Sequence, residues 1–100
     1  MIIKINGKKY LPGRPKAKMW RELAEFDENK KEIAYERFIE AHAEIIVKVF
    51  DNPEVTAEKL LECYAVDEIM PLYQEIFTWF YGLLHSKLEK LPNDQTTAQE

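Results

Sequence analysis

Apolar residues recur at every third or fourth position along most of the chain. This period is typical of amphipathic helices, and proline-containing segments separate one run from the next. The pattern predicts helices at about residues 15–27, 31–50, 57–65 and 68–90. We therefore expect a mainly α-helical protein built as a small bundle of about four helices.

The first residues follow a different pattern, a short alternation of apolar and polar positions in "IIKINGKKY". The Asn-Gly pair is a strong hairpin signal because both residues tolerate positive φ. A two-residue turn would pair Ile5 with Lys8 and Ile3 with Tyr10, whereas a bulged turn would shift this register, and the sequence leaves both open. Since an isolated hairpin is only marginally stable, we expect residues 2–11 to pack on the helices, which makes the fold class α+β.

The length of the chain, 100 residues, suits a single domain, which we assign to residues 1–91. The polar, unpatterned segment 92–100 is expected to be a disordered tail. No apolar run approaches the roughly 20 residues that cross a bilayer, and the start does not resemble a signal peptide. The single cysteine fits a reducing compartment, so we expect a cytoplasmic protein with no membrane partner.

The net charge of −4 conceals an uneven distribution. The first 21 residues carry seven basic side chains and no acidic ones, which leaves seven basic and 18 acidic side chains in the other 79, a balance of −11. An acidic body argues against general nucleic-acid binding. It favours a basic partner or association with a second copy of the chain.

Four glutamates recur every fourth residue in the second predicted helix: Glu32, Glu36, Glu40 and Glu44. Like charges at this spacing destabilise a helix slightly, so the acidic ridge needs a reason. It could be a solvated face that keeps the protein soluble, or a docking site for a basic segment. We list the four residues as candidate partner-binding residues.

The last predicted helix contains the aromatic stretch "IFTWFYGLL", and its apolar arc covers more than half of the helix surface. One core contact needs an arc of only about 100°. We expect Ile76 and Phe80, at the centre of the arc, to lie in the core. Trp79 and Tyr81 lie on its two flanks, so at least one of them should be partly exposed and available to a partner.

Residues that could perform catalysis are few. His42 lies on an apolar face and is expected to be a hydrogen-bonded core histidine, and Cys63 is expected to be a buried small hydrophobic residue. The sequence contains no paired cysteines, no His-x-x-x-His and no glycine-rich phosphate loop, so we expect no metal, no cofactor and no enzymatic activity.

The order of these features resembles the tail assembly chaperones of long-tailed bacteriophages and prophages. The resemblance rests on the opening "IIKINGKKY" hairpin, the amphipathic "AKMWRELAEF" helix directly after it, the acidic helices, the aromatic last helix and the polar tail. It implies a non-enzymatic protein that binds the tape-measure protein, and in many cases the major tail protein, during tail morphogenesis. It also leaves room for a homo-oligomer.

A second interpretation belongs to a different class of proteins. A small phage or prophage regulatory protein could use the acidic helices as a protein-interaction module or as a nucleic-acid mimic. The four-residue glutamate repeat is the feature that supports it.

Overall fold

A computed structural model describes residues 2–86 of the chain. Within that range the protein is mainly α-helical, with a two-stranded antiparallel hairpin at the start, which confirms the predicted fold class. The predicted polar tail and the predicted end of the last helix lie outside the described residues. No helix within residues 2–86 combines the length and apolar character that a bilayer crossing requires.

The hairpin consists of β1 (Ile3–Ile5) and β2 (Lys8–Tyr10). Its register pairs Ile3 with Tyr10 and Ile5 with Lys8, so the two-residue turn is the one that forms. The turn residues both have positive φ, 53° at Asn6 and 82° at Gly7. This is the geometry of a type I′ turn, which matches the twist of the two strands.

The hairpin is docked on the helical body. Ile3 and Ile5 point to the same side of β1 and are both buried. The backbone N–H of Lys4 donates to the hydroxyl of Tyr64 at 3.1 Å, and the hydroxyl of Tyr10 donates to Glu54 at 2.8 Å. Apolar burial and these two hydrogen bonds therefore hold one sheet face and both strands against the helices.

The helices are α1 (Ala17–Asn29), α2 (Phe38–Phe50), α3 (Ala57–Cys63) and α4 (Ile69–Ser86). Thr56 caps α3, because its hydroxyl accepts a hydrogen bond from the N–H of Lys59 at 3.2 Å. The residue before α4 is Glu68. The carboxylate of Glu68 accepts a hydrogen bond from the N–H of Ala65 at 2.7 Å.

The predicted second helix, residues 31–50, is wrong in its first third. Two short 3-10 helices, Lys30–Glu32 and Tyr35–Arg37, precede α2, with Ile33 and Ala34 extended between them. Tyr35, which lies within the predicted helix 31–50, is 97% exposed. The extended backbone at Ile33 and Ala34 interrupts the i→i−4 hydrogen bonds that a helix from residue 31 would need, and residues 30–37 form the connection between α1 and α2.

One hydrophobic core joins the hairpin to all four helices. The helix α2 lies in its centre and packs on α4, α3 and α1. The largest fully buried side chains are Tyr73, Ile3, Leu23, Ile46, Leu60, Ile69, Ile76, His42 and Val55. The placement of Ile76 and Phe80 in this core is confirmed.

Candidate functional site

The side of α4 that faces the core is apolar along its whole described length, but only part of it is covered. Ile69, Leu72, Tyr73, Ile76 and Phe80 are buried against the other elements. Every residue from 81 to 86 is exposed. We call this exposed last part of the helix, residues 81–86, the α4 overhang.

The overhang continues the apolar stripe of the core beyond the point where the body ends. Leu83 and Leu84 follow Phe80 by three and four positions, so they lie on the same face of the helix, one turn further on. They are 45% and 40% exposed, and the neighbouring Tyr81 is 55% exposed. These three apolar side chains lie within about one helical turn, and the described residues leave them exposed.

The two aromatic residues predicted as flanks have different surroundings. Trp79 is partly buried, and its ring packs edge-to-face on Phe80 at 5.4 Å between centroids. Tyr81 is exposed, with its ring 4.6 Å from that of His85. The expectation that at least one flank is partly exposed is therefore confirmed. Leu83 and Leu84 were not singled out as partner-binding residues, because the stripe alone does not show where the body stops.

The core side of the helix is anchored by a second tryptophan. Trp20 of α1 lies with its ring 5.5 Å from Phe77 and 6.4 Å from Phe80. Phe80 is thus enclosed between two large aromatic side chains, Trp20 and Trp79. This cluster fixes α4 up to Phe80 and leaves the next turn free of such contacts among the described residues.

The four glutamates do not form one helical ridge. Glu32 and Glu36 belong to the two 3-10 helices, and only Glu40 and Glu44 lie on α2. Arg37 pairs with Glu40 at 2.9 Å and with Glu44 at 3.4 Å. The break at Ile33 and Ala34 and the pairing with Arg37 therefore divide and partly neutralise the predicted row of charges.

His42 is a core histidine, as predicted. It is 0% exposed, and its ring lies 4.5 to 4.9 Å from the rings of Phe26, Phe38 and Tyr73. Its Nδ1 lies 2.8 Å from the carbonyl oxygen of Phe38 and must donate the hydrogen bond, because a carbonyl only accepts. Burial is the main reason why the pKa of His42 is lowered.

A polar contact that the sequence did not indicate lies beside His42. The hydroxyl of Tyr73 and the ammonium of Lys30 both donate to the same carboxylate oxygen of Asp27, at 2.8 and 3.0 Å. Burial acts to raise the pKa of Asp27, but the hydrogen bonds from Lys30 and Tyr73, together with the positive charge of Lys30, outweigh it and the pKa is lowered. The contact ties the end of α1 to the second turn of α4.

Cys63 does not behave as predicted. It is exposed at the last position of α3, with its Sγ 3.6 Å from the side-chain oxygen of Asn6 in the hairpin turn. The prediction is wrong because α3 has only seven residues, and Leu60 is the one among them that is buried. Within residues 2–86, no three His, Cys, Asp or Glu side chains are grouped as metal ligands would be.

Comparison with known proteins gives one match. The family model described as phage tail chaperone protein matches residues 1–96, nearly the whole chain. No curated protein and no solved structure matches it. The hairpin and the four described helices all fall within the matched range, so the match covers the whole described fold. The chain belongs to the phage tail chaperone protein family.

Proposed function

We propose that this protein binds the tape-measure protein during tail assembly in the host cytoplasm, and the major tail protein as a further partner, through the α4 overhang. Family membership supports a chaperone role in tail assembly and interaction with tail proteins. A chaperone acts by binding, so the family also supports a function without catalysis. The partner and the surface that binds it are the proposed part.

The observation that carries the proposal is the apolar surface of Tyr81, Leu83 and Leu84. Leucine side chains about half exposed next to each other on one helix face are costly to leave in water. An apolar face of this kind suits packing against an apolar helical segment of another protein. Covering such segments until a tail is built is what an assembly chaperone has to do.

The other candidate residues keep smaller roles in this proposal. Trp79 packs on Phe80 at the base of the overhang and contributes its exposed edge to the contact. Glu32, Glu36, Glu40 and Glu44 stay candidates for contacts with basic residues of the partner. Because Arg37 already pairs with Glu40 and Glu44, we expect their contribution to be smaller than that of the apolar overhang.

The test is co-expression of this chain with the tape-measure protein encoded in the same phage genome, followed by affinity purification. The variant Leu84→Ser removes an overhang side chain, and Leu61→Ser is a matched control, because Leu61 on α3 is 39% exposed and Leu84 is 40% exposed. Both variants should fold, as judged by circular dichroism. Leu84→Ser and Tyr81→Ala should reduce recovery of the tape-measure protein, and Leu61→Ser should not.

The proposal has two ways to fail. Equal recovery of the tape-measure protein by Leu84→Ser, Tyr81→Ala and the unmodified chain would move the binding surface away from the overhang. Absence of any complex with the unmodified chain, under conditions in which both proteins are made and folded, would exclude the tape-measure protein as the partner.

A further inference from the structure

A second surface lies on the body of the protein, in a cleft of about 450 Å³ between the start of α1 and the end of α2. Arg14, Lys16 and Lys18 line one side of it, and all three are exposed. None of the three forms a salt bridge among the described residues, in contrast to four other basic side chains there. The cleft therefore carries cationic charge that the described part of the chain does not neutralise.

The floor of the cleft is apolar. Met19 of α1 and Phe50 of α2 contribute to its lining, and both belong to or pack on the hydrophobic core. A ligand that fills the cleft would thus meet fixed apolar surface beside mobile cationic side chains. Such a site favours a ligand that has both anionic and apolar groups over a simple anion.

Two carboxylates also line the cleft and help to define the ligand. Glu22 lies 3.4 Å from Lys48 in a salt bridge, and Asp51 follows α2. A nucleic acid carries a phosphate at every nucleotide and would bring some of them close to these carboxylates. A peptide places carboxylates only where its sequence has them, so it can meet the cations and avoid Glu22 and Asp51.

We propose that this cleft docks an acidic segment of a partner protein in which carboxylates are interspersed with apolar side chains. Such a segment would complement the charges of Arg14, Lys16 and Lys18 and cover the apolar floor. The chain's own acidic residues on α2 are a poorer match, since Glu40 and Glu44 are already paired with Arg37. This surface is separate from the α4 overhang and does not depend on the tape-measure assignment.

The test measures fluorescence anisotropy of a short labelled peptide of Glu, Ser and Leu residues with the full chain. Two further peptides replace either Glu by Lys or Leu by Ser. The unmodified protein should bind the Glu/Leu peptide most tightly, the Ser-substituted peptide more weakly and the Lys-substituted peptide not at all. Added salt should weaken the binding.

Matched variants assign the binding to the cleft. Replacing Arg14, Lys16 and Lys18 together by Gln should weaken binding of the Glu/Leu peptide roughly tenfold, the summed effect of three exposed ion pairs. The control replaces Lys4, Lys9 and Arg21 by Gln. It changes the net charge by the same amount at exposed positions outside the lining of the cleft, and should leave binding nearly unchanged.

A substitution with the opposite sign gives an independent check. Asp51→Asn removes a carboxylate from the cleft and should tighten binding of the acidic peptide, because a like charge is lost. Asp51 has a φ of 49°, and asparagine tolerates this left-handed conformation, so the variant keeps the local backbone.

Three results would overturn the proposal. Equal weakening by the cleft triple variant and its control would mean that only net charge matters. Tighter binding of a single-stranded oligothymidylate than of the peptide, with the same dependence on Arg14, Lys16 and Lys18, would identify the cleft as a nucleic-acid site. Loss of self-association in the cleft triple variant alone, seen by sedimentation, would mean that a second copy of the chain occupies it.

Discussion

The buried imidazole of His42 makes the stability of this protein depend on pH. Since Nδ1 donates to the carbonyl of Phe38, the neutral ring carries its lone pair on Nε2, which is buried and has no hydrogen-bond partner among the described residues. Protonation would place a charge and a new N–H at that position. The nearby ammonium of Lys30 opposes the added charge, and Asp27, which favours it, already accepts two hydrogen bonds.

The sign and size of the effect follow from proton linkage. Burial lowers the pKa of His42 in the folded state, so below the unfolded value of 6.5 the unfolded chain binds more protons than the folded one. Stability is therefore full above that value and falls as the pH falls below it. If the folded ring stays neutral, one histidine removes at most about 1.4 kcal/mol between about pH 7.5 and about pH 5.5. This loss corresponds to a melting-temperature shift of roughly 5–10 °C for a domain of this size.

The two carboxyl groups with lowered pKa values, Asp27 and Glu54, act outside this interval. The pKa values of Asp27 and Glu54 are lowered from 3.8 and 4.5, so the stability that these residues contribute is lost only at more acidic pH. For Glu54 the main cause is the hydrogen bond from Tyr10, with a second one from Lys8. A loss of stability between about pH 7.5 and about pH 5.5 is thus assigned to histidine.

The assay is urea unfolding followed by circular dichroism at a series of pH values. His42→Leu and His42→Gln remove the titrating group, and His85→Gln is the control, because His85 is exposed on α4. The unmodified chain and His85→Gln should lose stability as the pH is lowered, while the two His42 variants should lose clearly less, whatever their stability at neutral pH. The same pH dependence in the His42 variants would mean that a group other than His42 causes the loss of stability.

Two further predictions concern the core and the turn. Phe80→Ala should lower the free energy of unfolding by about 3–5 kcal/mol, because Phe80 is buried between Trp20 and Trp79. The control Tyr81→Ala, at an exposed neighbouring position, should change it by less than about 1 kcal/mol. Urea unfolding measures both. Gly7→Val should cost about 1–2 kcal/mol, because a β-branched side chain resists the φ of 82° even though no atom lies within 4 Å of the added Cβ. Gly13→Val, at a glycine that also has open space and has no positive φ, should cost less, and equal costs at the two sites would contradict the type I′ turn.

The elements that the sequence predicted correctly are those whose signals are local. The Asn-Gly pair predicted the hairpin from residues that are neighbours in the chain, and the structure has one of the two registers that the sequence left open. The helical period placed Ile76 and Phe80 in the core for the same reason. Each of these features follows from backbone geometry and the nearest side chains alone.

The α1–α2 junction could not be predicted in this way. The polar run "DENKK" suggests an end to the first helix, yet α1 continues to Asn29. Asp27 stays in the helix, and its carboxylate accepts a hydrogen bond from the hydroxyl of Tyr73, which lies 46 residues further along the chain. The turn therefore lies at residues 30–37. Because these residues are not part of an α-helix, the four-residue spacing of the glutamates does not place Glu32 and Glu36 on one helix face there.

The α4 overhang shows a limit of a different kind. An apolar stripe tells which face of a helix avoids water, but it does not tell how far along the helix other elements extend to cover that face. Leu83 and Leu84 continue the apolar pattern of Ile76 and Phe80. Ile76 and Phe80 are buried and Leu83 and Leu84 are exposed, and the position of α1 and α2 decides this difference. If the apolar stripe of α4 served the core alone, polar residues could replace it after Phe80, where the described elements no longer cover the helix. It stays apolar for another turn, as the proposed contact with the tape-measure protein requires.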